Sequence, residues 1–232
     1  MKKSTFFSVL SILVLIPATL FLGTQIRGKW HYLTSTLVIL EAMLPFFLLF
    51  EARRPQAREL VTIAVMAALA VAGRVAIPIP NFKAITGIVM ITGMALGPQA
   101  GFMTGAISAF ASNFFYSQGP WTPWQMMAYG MGGFLAGLLF CGKTWKNPRQ
   151  EQIIKAAFGF FGVLLIVGPL LDACTVFTTG ARISWKFAFA VFAAGFPHNL
   201  INGLFSAATV LLLGRPLVGK LNRLKTKYGM LQ

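Results

Sequence analysis

In a chain of 232 residues, few side chains could do acid–base or metal chemistry: His31 and His198, and the carboxylates Glu41, Glu51, Glu59, Glu151 and Asp172. No two carboxylates stand at a useful spacing for paired acid–base work, and with two histidines no set of metal ligands assembles. Cys141 and Cys174 lie far apart, in or beside apolar runs, and read as packing residues. No Gly-Lys-Ser/Thr loop is present to cradle phosphate, so the chain does not read as an ATPase. It is expected not to be an enzyme and to carry no catalytic residue, no cofactor and no metal.

What the sequence offers instead is recognition. Asn113 precedes the run Tyr116-Ser-Gln118-Gly-Pro-Trp121-Thr-Pro-Trp124-Gln125, and Gln125 and Tyr129 share a helical face four residues apart. Thr122 is the expected N-cap there, with Pro123 opening the helix. Asp172 ends an apolar run further on, and His198, Asn202 and Ser206 recur every four residues, with Asn199 adjacent. Rings that give apolar contact and amides that read donor and acceptor edges suit a flat organic ligand with polar edges. An interfacial aromatic belt with hydrogen bonds between helices is the competing reading for the tryptophans. Asp172 is open to three partners: a ligand cation, Arg182 or Arg74.

The elements that must hold these residues are membrane helices. The chain is 56% hydrophobic, and five acidic residues cannot help cover a soluble surface of this size. Helices are expected at about 5–24, 31–50, 59–79, 84–97, 98–116, 122–141, 153–172 and 187–213. The fourth is short for a span, and either re-enters the membrane or ends at Gly97 with Pro98 opening the next helix. The first run follows Lys2-Lys3 but no small-x-small cleavage site, so it is expected to be retained.

Charge orients the bundle. The net charge of +15 sits in short connections, the pattern of topology determinants and not of a nucleic-acid groove. With eight spans and the N-terminus inside, 14 of the 20 Lys and Arg residues fall inside and the other 6 outside. Both termini are thus expected in the cytoplasm of a multi-pass protein of the prokaryotic cell membrane. The expected organisation is a two-helix extension (1–50), a charged cytoplasmic linker (51–58), a six-helix unit (59–215) and a basic tail (216–232). Small residues form stripes on three helices: Ala64, Ala68, Ala72 and Ala76; Gly101, Gly105 and Ala109; Gly133 and Gly137. Such stripes let helices approach closely. The glycines read as packing inside the bundle, while the alanines suit either packing or a surface offered to another membrane subunit.

The segments Arg58-Glu-Leu-Val-Thr-Ile-Ala-Val-Met-Ala-Ala-Leu-Ala-Val-Ala-Gly-Arg74, Gly87-Ile-Val-Met-Ile-Thr-Gly-Met-Ala-Leu-Gly97 and Ser112-Asn-Phe-Phe-Tyr-Ser-Gln-Gly-Pro-Trp-Thr-Pro-Trp-Gln-Met126 carry a resemblance. Over about residues 55–220 the chain resembles the S components of energy-coupling factor (ECF) transporters, membrane subunits that capture vitamins. The resemblance implies an all-α integral membrane fold, here a six-helix core plus two N-terminal helices that the family pattern does not explain. It implies a transmembrane coupling subunit and two cytoplasmic ATPases as partners, with Ala64, Ala68 and Ala72 on the coupling interface and the S component toppling to carry its cargo inward. It also implies a substrate site towards the outer ends of the later helices, where Asn113, Gln118, Trp121, Trp124, Gln125, Tyr129, Asp172, His198, Asn199 and Asn202 fall. Cobalamin is the expected vitamin; riboflavin, pantothenate and a queuosine precursor are the alternatives. Outside this family, a self-sufficient ion-coupled secondary transporter would call for internal repeats and embedded carboxylates, of which only Glu41 lies well within a span. A non-transporting scaffold would bind no small molecule.

Overall fold

A computed structural model describes residues 10–25, 31–76, 83–179 and 184–229. Among them the chain is all helical. α1 is Ile16–Gln25, preceded by a π-helical turn at Ser11–Leu15, and α2 is His31–Ala52. α3 is Ala57–Val75, α4 Ile85–Leu96, α5 Pro98–Tyr116 and α6 Thr122–Phe140. α7 runs from Pro148 to Thr178 through a π-helical turn at Val163–Val167, and α8 is Trp185–Tyr228. Three of these helices (α2, α7 and α8) are long and apolar enough to cross a membrane.

α4 is the axis of the core. Every residue from Ile85 to Leu96 is buried, although at about 1.5 Å per residue twelve residues fall short of a bilayer's roughly 30 Å of hydrocarbon. It ends at Gly97, whose φ of 100° lies in the left-handed region that a Cβ disfavours, and Pro98 opens α5 directly. Of the two sequence expectations for this segment, the glycine turn is the one observed. Three helices close on one another through glycine. A Cβ built on Gly133 would meet the Gly101 carbonyl carbon at 2.7 Å, and one on Gly101 would meet the Gly133 carbonyl carbon at 2.6 Å and the Gly93 Cα at 2.7 Å. Backbone meets backbone there, which is the packing role expected of these glycines.

The N-terminal extension docks on this core. Ile39 and Met43 of α2 are buried against Phe102 and Ala106 of α5, and Phe46 stacks on Phe102 with centroids 4.2 Å apart. Within the extension, the Thr19 hydroxyl donates to Glu41 Oε1 at 2.6 Å, so the one carboxylate well inside a span is tied to α1.

Two expectations need correction. The last helix, expected to end at 213, continues through Pro216 to Tyr228. Leu217, Val218, Leu221 and Leu224 recur at helical spacing, and the intervening Lys and Arg are good helix formers. Pro216 removes one N–H without stopping the rod. Thr122 is not the N-cap of α6. It is the first helical residue, Trp121 stands at the cap, and no side chain caps the end.

Candidate functional site

At one end of the bundle, the C-termini of α3 and α5 meet the N-termini of α4 and α6, beside the middle of α7 and the first third of α8. Here lies a polar cavity of about 190 Å³. Its wall comprises Arg74 and Lys83, the neutral polar groups Thr86, Gln125, Tyr129, Asn199 and Asn202, and Ile85, Val163, Val167, Gly168 and Leu171. The π-helical turn of α7 supplies Val163 and Val167, an irregularity often found at functional positions.

Arg74 organises the site. It is 5% exposed, and its Nη1 donates to Ser112 Oγ and, at 3.1 Å, to Asn113 Oδ1. Its Nη2 donates to Gln125 Oε1 at 3.3 Å. The guanidinium also lies over the Tyr116 ring at 4.9 Å and the Tyr129 ring at 5.8 Å, a cation–π arrangement that arginine's flat, weakly hydrated head favours. Its Nε is buried and has no hydrogen-bond partner. The Tyr116 hydroxyl donates to the Arg74 carbonyl at 3.0 Å, fixing the end of α3. Lys83 stands at the entry to α4 with its Nζ 4.6 Å from the Tyr116 ring. Burial first, then the nearby Arg74 charge, pull its ammonium below the usual lysine range.

The ten residues expected at the site divide into three sets. Gln125, Tyr129, Asn199 and Asn202 line the cavity. Asn113 and Asp172 stand one bond behind it. Asn113 accepts from Arg74 and donates through Nδ2 to Thr122 Oγ1 at 3.0 Å, so its amide positions the arginine. Asp172 Oδ2 accepts from Asn199 Nδ2 at 2.7 Å. Of the three partners open to Asp172, Arg74 is not within ion-pair distance, and Arg182 lies outside the described residues; the observed partner is an amide. Gln118 completes this second set one bond further back, in the α5–α6 turn, where Nε2 donates to the Phe110 carbonyl at 2.9 Å and Oε1 accepts from the Thr122 hydroxyl.

The third set points elsewhere. Trp124 is buried, stacked on Phe177 at 5.7 Å in the cluster that receives α2. Trp121 is 39% exposed and lies over Gly119. His198 is exposed, its Nδ1 3.2 Å from the Ala194 carbonyl on its own helix. The reason is geometric. Each step of four residues turns a helix by roughly 40° beyond a full circle, so with Ser206 fully buried, Asn202 sits at the edge of the inward face and His198 past it.

Sequence reasoning missed Lys83 and gave Arg74 no role but that of a pairing option for Asp172. A cation closing an apolar helix is a signal in its own right, because a charge at membrane depth needs inward-facing partners. Two contacts also show how finely the wall is set. A Cβ on Gly168 would meet Asn199 Oδ1 at 2.6 Å, and one on Gly195 would meet Asp172 Cγ at 2.6 Å. We expect Gly168→Ala to push Asn199 off Asp172 and weaken ligand binding by about tenfold, the cost of one hydrogen bond to a charged group. Titration of the variant beside the wild type, with unfolding temperature as a folding control, checks it.

Ala64, Ala68 and Ala72 are all exposed, on the face of α3 that also exposes Leu60, Val61, Val65 and Leu69. The described residues of the N-terminal extension do not cover this face. Among the described residues no group of three or more His, Cys, Asp or Glu could hold a metal ion.

No curated protein and no solved structure matches the chain. Residues 55–220, more than half of the chain, match the family model described as "ECF-type riboflavin transporter, S component", and the chain therefore belongs to that family of vitamin-binding membrane subunits.

Proposed function

We propose that this chain captures a vitamin of the riboflavin class in the Arg74 cavity and delivers it, through the alanine face of α3, to a coupling subunit that carries two ATPases. The cavity carries the reading: it is the place where Gln125, Tyr129, Asn199 and Asn202 converge at one end of the helices. A flat heteroaromatic with carbonyl and imide edges matches amide donors and acceptors beside an aromatic ring. The family description names riboflavin, and no corrinoid. The cobalamin expectation therefore gives way to a vitamin of the riboflavin class.

In this reading the core is α3–α8, six helices, and α1 and α2 are a lipid-side brace. The basic end, with Arg53, Arg54, Arg58, Lys143 and Arg215, faces the cytoplasm, and the cavity opens to the outside. Ion-coupled transport by the chain alone is disfavoured because Glu41 is held by Thr19 in the extension and does not line the cavity.

The test is direct. Purified full-length chain should quench riboflavin fluorescence on binding and retain the vitamin, yet fail to accumulate it in liposomes without ATP and partner subunits. Accumulation by the chain alone on an ion gradient would overturn the assignment.

A further inference from the structure

The cavity holds more positive charge than the chain can neutralise. Arg74 and Lys83 both line it, and both lie against the ring of Tyr116. Every recorded partner of the Arg74 guanidinium is neutral: a hydroxyl, two amide oxygens and two rings. Among the described residues the single ion pair is Lys155–Glu151, on other parts of α7. Segments 77–82 and 180–183 contain no Asp or Glu. Of the five acids in the chain, Glu51, Glu59 and Glu151 belong to the opposite end of the helices, and Glu41 to the extension. Asp172 alone is near; it is hydrogen-bonded to Asn199 and forms no ion pair with Arg74 or Lys83, so one carboxylate stands behind two cations.

Two like charges at one ring, Arg74 buried and Lys83 half-buried, repel each other with no ion pair to offset it, and Arg74 loses its hydration as well. A structural arginine would be expected to have every N–H satisfied, but here a guanidinium 5% exposed keeps an unpartnered Nε. Gln125 spends its oxygen on Arg74, leaving its amide nitrogen to donate beside the two cations.

We infer that the cargo carries, besides its flat ring, an anionic oxygen group, a carboxylate or a phosphate, held between Arg74 and Lys83. This rests on the reading of the cavity as the cargo site. Riboflavin is neutral, so within the flavins the inference selects riboflavin 5′-phosphate. An anionic oxygen group accepts several charge-assisted hydrogen bonds at once, which a single carbonyl does not.

The experiment uses the full chain in nanodiscs of neutral lipid, with inorganic phosphate and acetate as separate probes against chloride at matched ionic strength. Phosphate or acetate, whichever group the site takes, should raise the unfolding temperature by about 3 °C once it is in tenfold excess over its dissociation constant. That rise should vanish in Lys83→Gln and in Arg74→Gln, which separates a site from the general stabilisation of the native state by phosphate as a salting-out ion. Lys83, at the mouth, serves if the buried Arg74 variant fails to fold. No stabilisation by either probe, or a rise that survives in Lys83→Gln, overturns the inference. Riboflavin and its 5′-phosphate are then titrated in parallel, and the phosphate ester should bind at least about tenfold tighter through its charge-assisted bonds. Equal or tighter binding of riboflavin overturns the inference and leaves the cargo-site reading standing. Binding of neither flavin, with the anion response intact, removes the flavin and keeps the anion.

Discussion

Ala68→Trp should abolish uptake by the assembled transporter while the isolated chain still binds its vitamin as the wild type does. Ala68 is exposed in the middle of a face on which Ala64 and Ala72 stand one turn away on either side. A Cβ methyl lets a partner helix approach to within its own backbone radius, and an indole holds it several ångströms off. In lipid no hydrophobic drive rewards a looser contact, so the loss is nearly complete instead of graded. Binding is spared because the cavity uses α3 only at its far end, through Arg74. Reconstitution with coupling and ATPase subunits, measuring ATP-driven uptake and vitamin retention on the same preparation, checks both halves. Loss of binding, or uptake at the wild-type rate, would remove the coupling role from this face.

Much of the architecture was legible because membrane helices announce themselves by length and composition, and polar breaks separate them. Among the described residues helix is found within each of the eight expected segments, three of the helices being long and apolar enough to cross a membrane, and the turn at Gly97-Pro98 is one of the two readings open to its segment. The end of α8 was not legible, since Pro216 and a run of basic residues look like a stop even where Leu217, Leu221 and Leu224 continue the helical pattern. The site was legible in part for a different reason. Periodicity assigns residues to a face but not to a depth. Gln125 and Tyr129 point inward as their spacing suggests, whereas Trp124, one residue earlier, turns to the cluster that receives α2, an extension that nothing in the core sequence foretells. His198 does not line the cavity because a repeat of four drifts away from a helical face over two steps. Arg74 was overlooked as a site residue because it was counted as a topology charge. A cation in an outer connection and a cation folded back into the bundle look alike in sequence, and only the converging Ser112, Asn113, Tyr116 and Gln125 tell them apart.

Gly133→Val and Gly219→Ala should have opposite effects on stability, although both replace a glycine within a helix. At Gly133 the obstacles to a Cβ are the Gly101 carbonyl carbon at 2.7 Å and Val89 Cγ1 at 2.8 Å. Neither gives way cheaply: one is backbone, and the other belongs to a fully buried side chain on the central helix. α5 and α6 must separate, which also opens the contacts of Gly105 with Tyr129 and of Gly137 with Pro98, each built for a residue without a side chain. Overpacking of this kind costs about 1–3 kcal/mol when side chains can adjust, and more when two backbones must part. Gly219 has nothing within 4 Å of its position for a Cβ and no left-handed backbone, so alanine there restricts only the unfolded chain and gains about 0.5–1 kcal/mol. Thermal unfolding in one detergent should therefore show Gly133→Val failing to yield folded protein, or melting far below the wild type, with Gly219→Ala at or slightly above it. Were Gly133→Val to melt with the wild type, the α4–α5–α6 contact could not be as close as backbone against backbone, and the cavity it supports through Tyr129 would need a different wall.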